Sequence, residues 1–201
     1  KKDWKDLNRQ FLKAAVAGGD TRQVYLAEAL GENGFLVKTY GLPKDPGHSQ
    51  VKKTSSLREA LEDADLIAAP VPFLKQGKIQ GQEFSIDLTE ENFLKYLKKG
   101  SLFCAGGIPE SFRKKVGERG IRCFDFLEDS FTAKENTIAT AEGAVAQAII
   151  RSPENLRGSL CLVIGYGRCG RTLAGYLQNM FCRTMVWEKD REKAAQAKAA
   201  G

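Results

Sequence analysis

The run from Ser159 to Asp190 constrains this chain most. An apolar segment ending at Ile164 breaks into Gly-Tyr-Gly-Arg-Cys-Gly, resumes as an amphipathic helical pattern, and is followed by a second apolar segment from Arg183 to Trp187. Glycines at Gly165, Gly167 and Gly170, between a strand pattern and a helix pattern, give the spacing of a dinucleotide-binding βαβ unit. The first permits the tight turn, the second lets the backbone approach a pyrophosphate, and the third allows the helix to pack closely on the strand. The helix N-terminus adds unpaired amides that favour phosphate. Glu188 follows Gly170 at close to the ~20 residues at which an acid meets the adenosine ribose. A carboxylate there favours NAD because it repels the 2′-phosphate of NADP. Lys189 and Arg191 stand beside it and are able to pair with that phosphate, so the residues alone leave NADP or NAD open. The candidate cofactor-binding residues are Gly165, Tyr166, Gly167, Arg168, Cys169, Gly170, Glu188 and Lys189.

Upstream of this run, strand and helix patterns alternate. KAAVAG reads as a strand, TRQVYLAEAL as an amphipathic helix stopped at Gly31, and FLVKTYG as a second strand. The alternation continues with SSLREALEDA (helix), DLIAAPVP (strand), TEENFLKYLKK (helix), SLFCAGG (strand), PESFRKKVGERG (helix) and IRCFDFL (strand). Such a series predicts parallel sheets covered by helices on both faces. The expected fold is α/β with two doubly wound parallel-sheet domains. Residues 1–150 are expected to form a flavodoxin-like substrate domain that includes an interdomain helix, and residues 151–201 the first half of a Rossmann domain. That second domain is expected to be incomplete, a fragment with two strands where about six are usual. Pro70 to Thr89 reads as a loop or short hairpin excursion. TAKENTIATAEGAVAQAIIRS reads as a turn followed by a helix from about Ala141.

Composition narrows the function classes. The chain has 201 residues, 42% of them hydrophobic, enough for a sizeable core, and no apolar stretch approaches the length of a membrane span. A soluble, cytoplasmic protein is expected. The net charge of +6 is spread among interleaved acids rather than gathered into a basic stripe, which argues against a nucleic-acid partner. Five widely spaced cysteines with no CxxC pair encode neither a disulfide framework nor a zinc site. Cys104, Cys123 and Cys161 sit in strand-like apolar company and read as small buried hydrophobes. The only histidine, His48, lies in the turn-rich KDPGHSQ.

Two further segments carry chemistry. In AGGDTRQ, Gly18 and Gly19 make a strand-to-helix turn, and Arg22 with the helix N-terminal amides is suited to a substrate carboxylate. Asp20 then serves as a base or as the arginine's anchor; helix capping alone would also explain it. Gly19, Arg22 and Gln23 are the substrate-binding candidates here. In ENTIATAEG, Asn136 and Thr140 are expected on a loop facing a cleft, with Glu142 in a first helical turn. Asp20 and Glu142 are the candidate catalytic carboxylates, since a carboxylate takes up a proton without need of histidine.

Taken in order, GGDTRQ, the PVP strand end at Pro70 to Pro72, ENTIATAEG and GYGRCG resemble the family of dipicolinate synthase A subunits over nearly the whole chain. Ala139 stands where that family usually has proline, and Glu188-Lys189-Asp190 where it tends to carry residues that suit NADP. The resemblance implies an oxidoreductase that forms pyridine-2,6-dicarboxylate during sporulation, by NAD(P)-dependent dehydrogenation of a dihydrodipicolinate-type precursor. It implies a dicarboxylate substrate and, as partner, the flavoprotein-like B subunit of dipicolinate synthase, and it leaves homo-oligomerisation open. It also turns GGDTRQ and ENTIATAEG into substrate-binding parts of an interdomain active site. Two other readings are a 2-hydroxyacid or alanine dehydrogenase relative, and a non-catalytic NAD(P)-binding sensor.

Overall fold

The computed structural model describes residues 12–81 and 85–201, and the chain divides into two compact units between Glu128 and Asp129. The first unit is built on β1, Lys13–Ala17, buried from Ala14 onward. Alternation along the strand assigns its side chains to two faces. Ala14 and Val16 pack with Val24, Ala27 and Val37, whereas Ala15 and Ala17 join Leu57, Phe93 and Phe103. Burial on both faces explains why the segment is apolar throughout instead of alternating with polar residues.

On one side of β1 lie β2 (Leu36–Tyr40) and β3 (Val51–Lys53); on the other lie β4 (Leu66–Ala68), β5 (Leu102–Ala105) and β6 (Arg122–Asp125). All pairings are parallel, in the order β3-β2-β1-β4-β5-β6. The strand pattern did not foretell β3, since Val-Lys-Lys offers one apolar residue and sits at the sheet edge, where only one neighbour is needed. Without β3 the strands keep a flavodoxin-like order; with it they reach the order of a dinucleotide-binding sheet. Helix α1 (Thr21–Glu32) covers one face, and α2 (Leu57–Leu61), α3 (Glu90–Tyr96) and α4 (Glu110–Glu118) the other. Helix α1 runs past Gly31 to Glu32 and ends on Asn33. On the face of α2 to α4, Phe73, Phe93, Phe103 and Phe112 are fully buried and meet edge-on or tilted, with ring centroids 4.9–5.8 Å apart. Such aromatic pairs add to the burial of their own area.

The second unit opens with α5, Ser130–Arg151, capped by Asp129, whose carboxylate accepts the Thr132 amide at 2.8 Å. This corrects the expected turn before Ala141. No proline interrupts the stretch, so the cap at Asp129 starts a helix that runs straight through ENTIATAEG. The helix packs against α6 (Arg168–Asn179), and the unit boundary accordingly falls before α5 rather than near residue 150. Parallel strands β7 (Leu160–Ile164) and β8 (Arg183–Trp187) and helix α7 (Arg191–Ala199) complete this unit. Val163 and Val186 face Ala174 and Leu177, while Leu160, Leu162, Ile164, Met185 and Trp187 are exposed.

Of the strand cysteines, Cys104 is buried, Cys123 and Cys161 are half-buried, and Cys169 in the glycine turn is exposed. His48 packs against Gly31 and accepts the Gln50 amide through Nδ1 at 3.2 Å. Among the described residues, no helix is long and apolar enough to cross a membrane, and no group of three or more His, Cys, Asp or Glu is placed to hold a metal ion.

Candidate functional site

In the first unit the chain leaves β1 for α1 on one face of the sheet, whereas the segment leaving β4 joins the core of the opposite face through Phe73. Neighbouring strands whose continuations diverge in this way leave a crevice at their carboxyl ends, the place where sheets of this type bind ligands. GGDTRQ follows β1 and PVP follows β4, so topology brings two sequence-distant motifs to one edge. The Val71–Pro72 peptide in the second motif is cis.

Arg22 is the centre of this edge. Its Nε donates to both Asp20 oxygens at 3.0 and 3.2 Å, and Nη2 donates to Asp20 Oδ2 at 2.9 Å and to the Val71 carbonyl at 2.7 Å. The side chain nevertheless stays 55% exposed. Asp20 also caps α1 by accepting the Arg22 amide at 2.9 Å. The Arg22 guanidinium, set against a smaller opposing effect of burial, holds the Asp20 carboxyl below its ordinary value. A carboxylate so held is a weak base, and the geometry supports the anchor role rather than proton abstraction. Gln23, expected to meet substrate, is buried and spends its Oε1 on the Asp20 amide at 2.9 Å. The Asp-x-x-Gln spacing of a capping box was the signal for it. The Gly19 amide is likewise engaged, donating to the Gln80 carbonyl at 2.7 Å.

Two further acids, Asp125 at the end of β6 and Asp87 in the segment before α3, tie strand ends to neighbouring segments, and neither has a signature in its local sequence. Asp125, the last residue of β6, accepts the amides of Gly107, Ile108 and Leu127 at 2.9, 2.7 and 2.8 Å, with Arg113 Nη2 3.5 Å away. It thereby fixes the turn after β5, whose Gly106 carbonyl accepts the Phe73 amide at 2.6 Å. Asp87 accepts the Tyr40 hydroxyl on one oxygen and the Leu57 amide, at 3.0 Å, on the other. Burial, then the Asp87 anion, pushes the Tyr40 phenol up to about 12, so it stays a donor. Only pairing across the fold reveals either acid.

In the second unit Gly165 turns out of β7 with φ +95°, a backbone conformation that side chains rarely adopt, and its amide donates to the Trp187 carbonyl at 2.7 Å. A Cβ on Gly170 would lie 2.0 Å from the Gly165 carbonyl oxygen, so helix and strand touch there. Gly167 is the N-cap of α6, makes no side-chain cap, and has nothing within 4 Å of the position a Cβ would take. Open space beside an uncapped helix N-terminus is what a pyrophosphate needs, and these residues fit a dinucleotide. Glu188 ends beside the same turn, with Oε2 accepting the Tyr166 amide at 2.6 Å and Oε1 the Asp190 amide at 3.0 Å. The amides of Asp190 and Tyr166 hold its carboxyl below the ordinary glutamate value. Arg171 covers the Tyr166 ring at 5.3 Å. Arg168 and Cys169 begin α6, and Lys189 is exposed after β8.

The ENTIATAEG residues differ from expectation because they are helical. Asn136 and Thr140 are exposed on α5, joined by a bond from the Thr140 hydroxyl to the Asn136 carbonyl at 2.8 Å. Glu142 lies beyond the first turn of α5 and accepts the Tyr176 hydroxyl of α6 at 3.2 Å. Thr137 is buried and meets Thr172 at 3.0 Å.

A topological switch point on one parallel sheet and a glycine-turn βαβ unit followed by an acid define an α/β chain with the strand order and turn geometry of dinucleotide-binding folds. Residues 13–127, more than half of the chain, match the family described as the N-terminal domain of the dipicolinate synthase A subunit, and the chain belongs to that family. It is 28% identical over 169 residues to the A subunit of dipicolinate synthase from Bacillus subtilis (strain 168), a match that covers 81% of this chain and 56% of that protein. Among solved structures, the dipicolinate synthase A subunit from Bacillus halodurans gives a TM-score of 0.72 at 22% identity, covering 94% of this chain and 65% of that one. Its Bacillus subtilis counterpart gives 0.69 at 23% identity, covering 94% and 64%. The chain therefore spans a little over half the length of the Bacillus subtilis relative that it matches.

Proposed function

We propose that this chain belongs to an oxidoreductase that forms pyridine-2,6-dicarboxylate by NAD(P)-dependent dehydrogenation of a dihydro precursor, with the first unit binding the dicarboxylate. The observation that carries this reading is Arg22, fixed by Asp20 and the Val71 carbonyl at the carboxyl edge of the sheet yet still exposed. A guanidinium held by one acid and a backbone oxygen is preorganised for a carboxylate, so little ordering cost remains when the ligand arrives. When bound, the nicotinamide cofactor supplies the hydride acceptor. The residues of this chain that would hold it are the Gly165 to Gly170 turn, the N-terminus of α6 and Glu188. Because the relatives are named as one of the subunits that make up a synthase, a second polypeptide as partner belongs to the same reading.

Titration of pyridine-2,6-dicarboxylate into the chain checks the carboxylate contact. Arg22→Ala should weaken binding thirty- to hundredfold, about 2–3 kcal/mol for a charge-assisted pair; an unchanged dissociation constant removes Arg22 from the site.

NAD is the preferred cofactor in this reading. Glu188 is tied to the turn rather than swung aside, so its charge would oppose a 2′-phosphate brought to that turn, which supports NAD over NADP. NAD+ should bind at least about tenfold more tightly than NADP+, and Glu188→Ser should reduce that preference to near parity. Tighter NADP+ binding by the unaltered chain would count against the role given to Glu188.

A further inference from the structure

The carboxyl edge of the six-stranded sheet carries a second basic element. After PVP, reciprocal bonds from the Lys75 amide to the Lys78 carbonyl (2.8 Å) and from the Lys78 amide to the Lys75 carbonyl (3.1 Å) close a small antiparallel hairpin. Its two central residues, Gln76 and Gly77, both have positive φ, 53° and 75°, as a tight type I′ turn requires. Directly opposed residues of an antiparallel pair project to the same face, so the two lysines stand side by side.

The root of the hairpin is attached to the Arg22 turn from both sides. Gln80 accepts the Gly19 amide, and a Cβ on Gly18 would lie 2.5 Å from that same Gln80 oxygen and 3.4 Å from Ile79 and Pro70. On the incoming side, Val71 accepts Arg22 Nη2, and Phe73 is fully buried. The lysines are thus carried on a segment anchored before and after them. Both are exposed, and among the described residues neither has a carboxylate within ion-pair distance. Segments 17–23 and 70–80 together contain one acid, Asp20, and three bases, Arg22, Lys75 and Lys78, a net charge of +2. That matches a dianion. Asp20 feels this surplus: its carboxyl is held low first by Arg22 and, less strongly, by the charge of Lys75.

We propose that Lys75 and Lys78 hold the second carboxylate of a dicarboxylate whose first carboxylate is held by Arg22. The inference rests on the dicarboxylate reading above and adds the residues that distinguish a dianion from a monoanion. Lysine suits this task, since a flexible ammonium reaches a carboxylate without a fixed bidentate geometry.

The test is calorimetric titration of the whole chain with two probes, pyridine-2,6-dicarboxylate and pyridine-2-carboxylate. The double substitution Lys75→Gln and Lys78→Gln should weaken the dicarboxylate about ten- to hundredfold and leave the monocarboxylate within about twofold. Arg22→Ala should weaken both. If the double variant binds the dicarboxylate like the unaltered chain, or loses both probes equally, the lysine subsite is overturned while the dicarboxylate reading stands. If the unaltered chain binds neither probe, both fall.

Discussion

Gly170→Ala should abolish measurable dinucleotide binding and destabilise the second unit by about 3 kcal/mol, the upper part of the range for forcing atoms into a packed site. The new methyl carbon would sit 2.0 Å from the Gly165 carbonyl oxygen and 3.0 Å from the Gly165 carbonyl carbon. Both are backbone atoms of the turn itself. Relief therefore requires α6 to lift from β7 or the turn to open, and either movement displaces the Gly167 amide and the Tyr166 amide that Glu188 holds. Helix propensity alone predicts the opposite sign, since alanine in place of an interior glycine gains about 1 kcal/mol. Gly175, in the same helix with nothing within 4 Å of its Cβ position, supplies the comparison. Gly175→Ala should raise stability by up to about 1 kcal/mol and leave binding intact. Chemical denaturation and nucleotide titration of both variants read the two effects separately. Equal behaviour of the two would mean that the close approach does not matter.

Asp125→Ala is expected to cost the first unit about 3–5 kcal/mol, as for loss of a buried, hydrogen-bonded charge. Three amides, those of Gly107, Ile108 and Leu127, lose their acceptor in a place where only 5% of the residue is exposed. Arg113 loses one of its three acidic neighbours. The pH dependence carries a sign. Burial pushes the Asp125 carboxyl up, but the amides of Ile108, Gly107 and Leu127 and the Arg113 charge outweigh it and leave it below the ordinary 3.8. A carboxyl depressed in the folded state stabilises the fold above its unfolded value and loses that contribution as pH falls through the lower, folded value. The stability gap between the unaltered chain and Asp125→Ala, measured by urea unfolding, should hold steady above pH 5 or so and shrink as pH drops below about 3.8. A gap that widens on acidification would show that Asp125 is not the ionised acceptor described.

Legibility followed the range of the interactions involved. Strand β1 and helix α1 were readable because burial on both sheet faces and a cap at Asp20 leave marks within a few residues. The glycine turn was readable for the same reason, since each glycine answers a demand made by its immediate neighbours. Strand β3 was not, because an edge strand with one apolar residue owes its pairing to β2 and not to its own pattern. Helix α5 begins earlier than its local pattern suggests: Asn136, Thr140 and Glu142 look like loop and cap residues in isolation, yet the earlier cap at Asp129 and the absence of proline carry the helix through them. Gln23, a substrate candidate by its place in GGDTRQ, commits its Oε1 to the Asp20 amide, the capping box that its spacing from Asp20 also encodes.

The sequence by itself determined the elements other than β3 and the start of α5, their order and the two turns that matter, because periodicity, caps and glycine spacing act over one or two helical turns of chain. It also determined the family, through motifs that keep their order along the chain. Only the tertiary structure decided what those motifs do to one another. Arg22 meets the Val71 carbonyl across 49 residues, Asp125 gathers amides from 17 and 18 residues upstream, and the Tyr166 amide meets Glu188 across 22. The first two have no local signature, since each forms when the parallel strands of the six-stranded sheet bring their carboxyl ends to one edge, whereas the third was announced only by the spacing of Glu188 from the glycines. Stacking in the six-stranded sheet brings the Val71 carbonyl to Arg22 and carries the Lys75 and Lys78 hairpin to the same edge, and pairing of β7 with β8 fixes Glu188 beside the glycine turn.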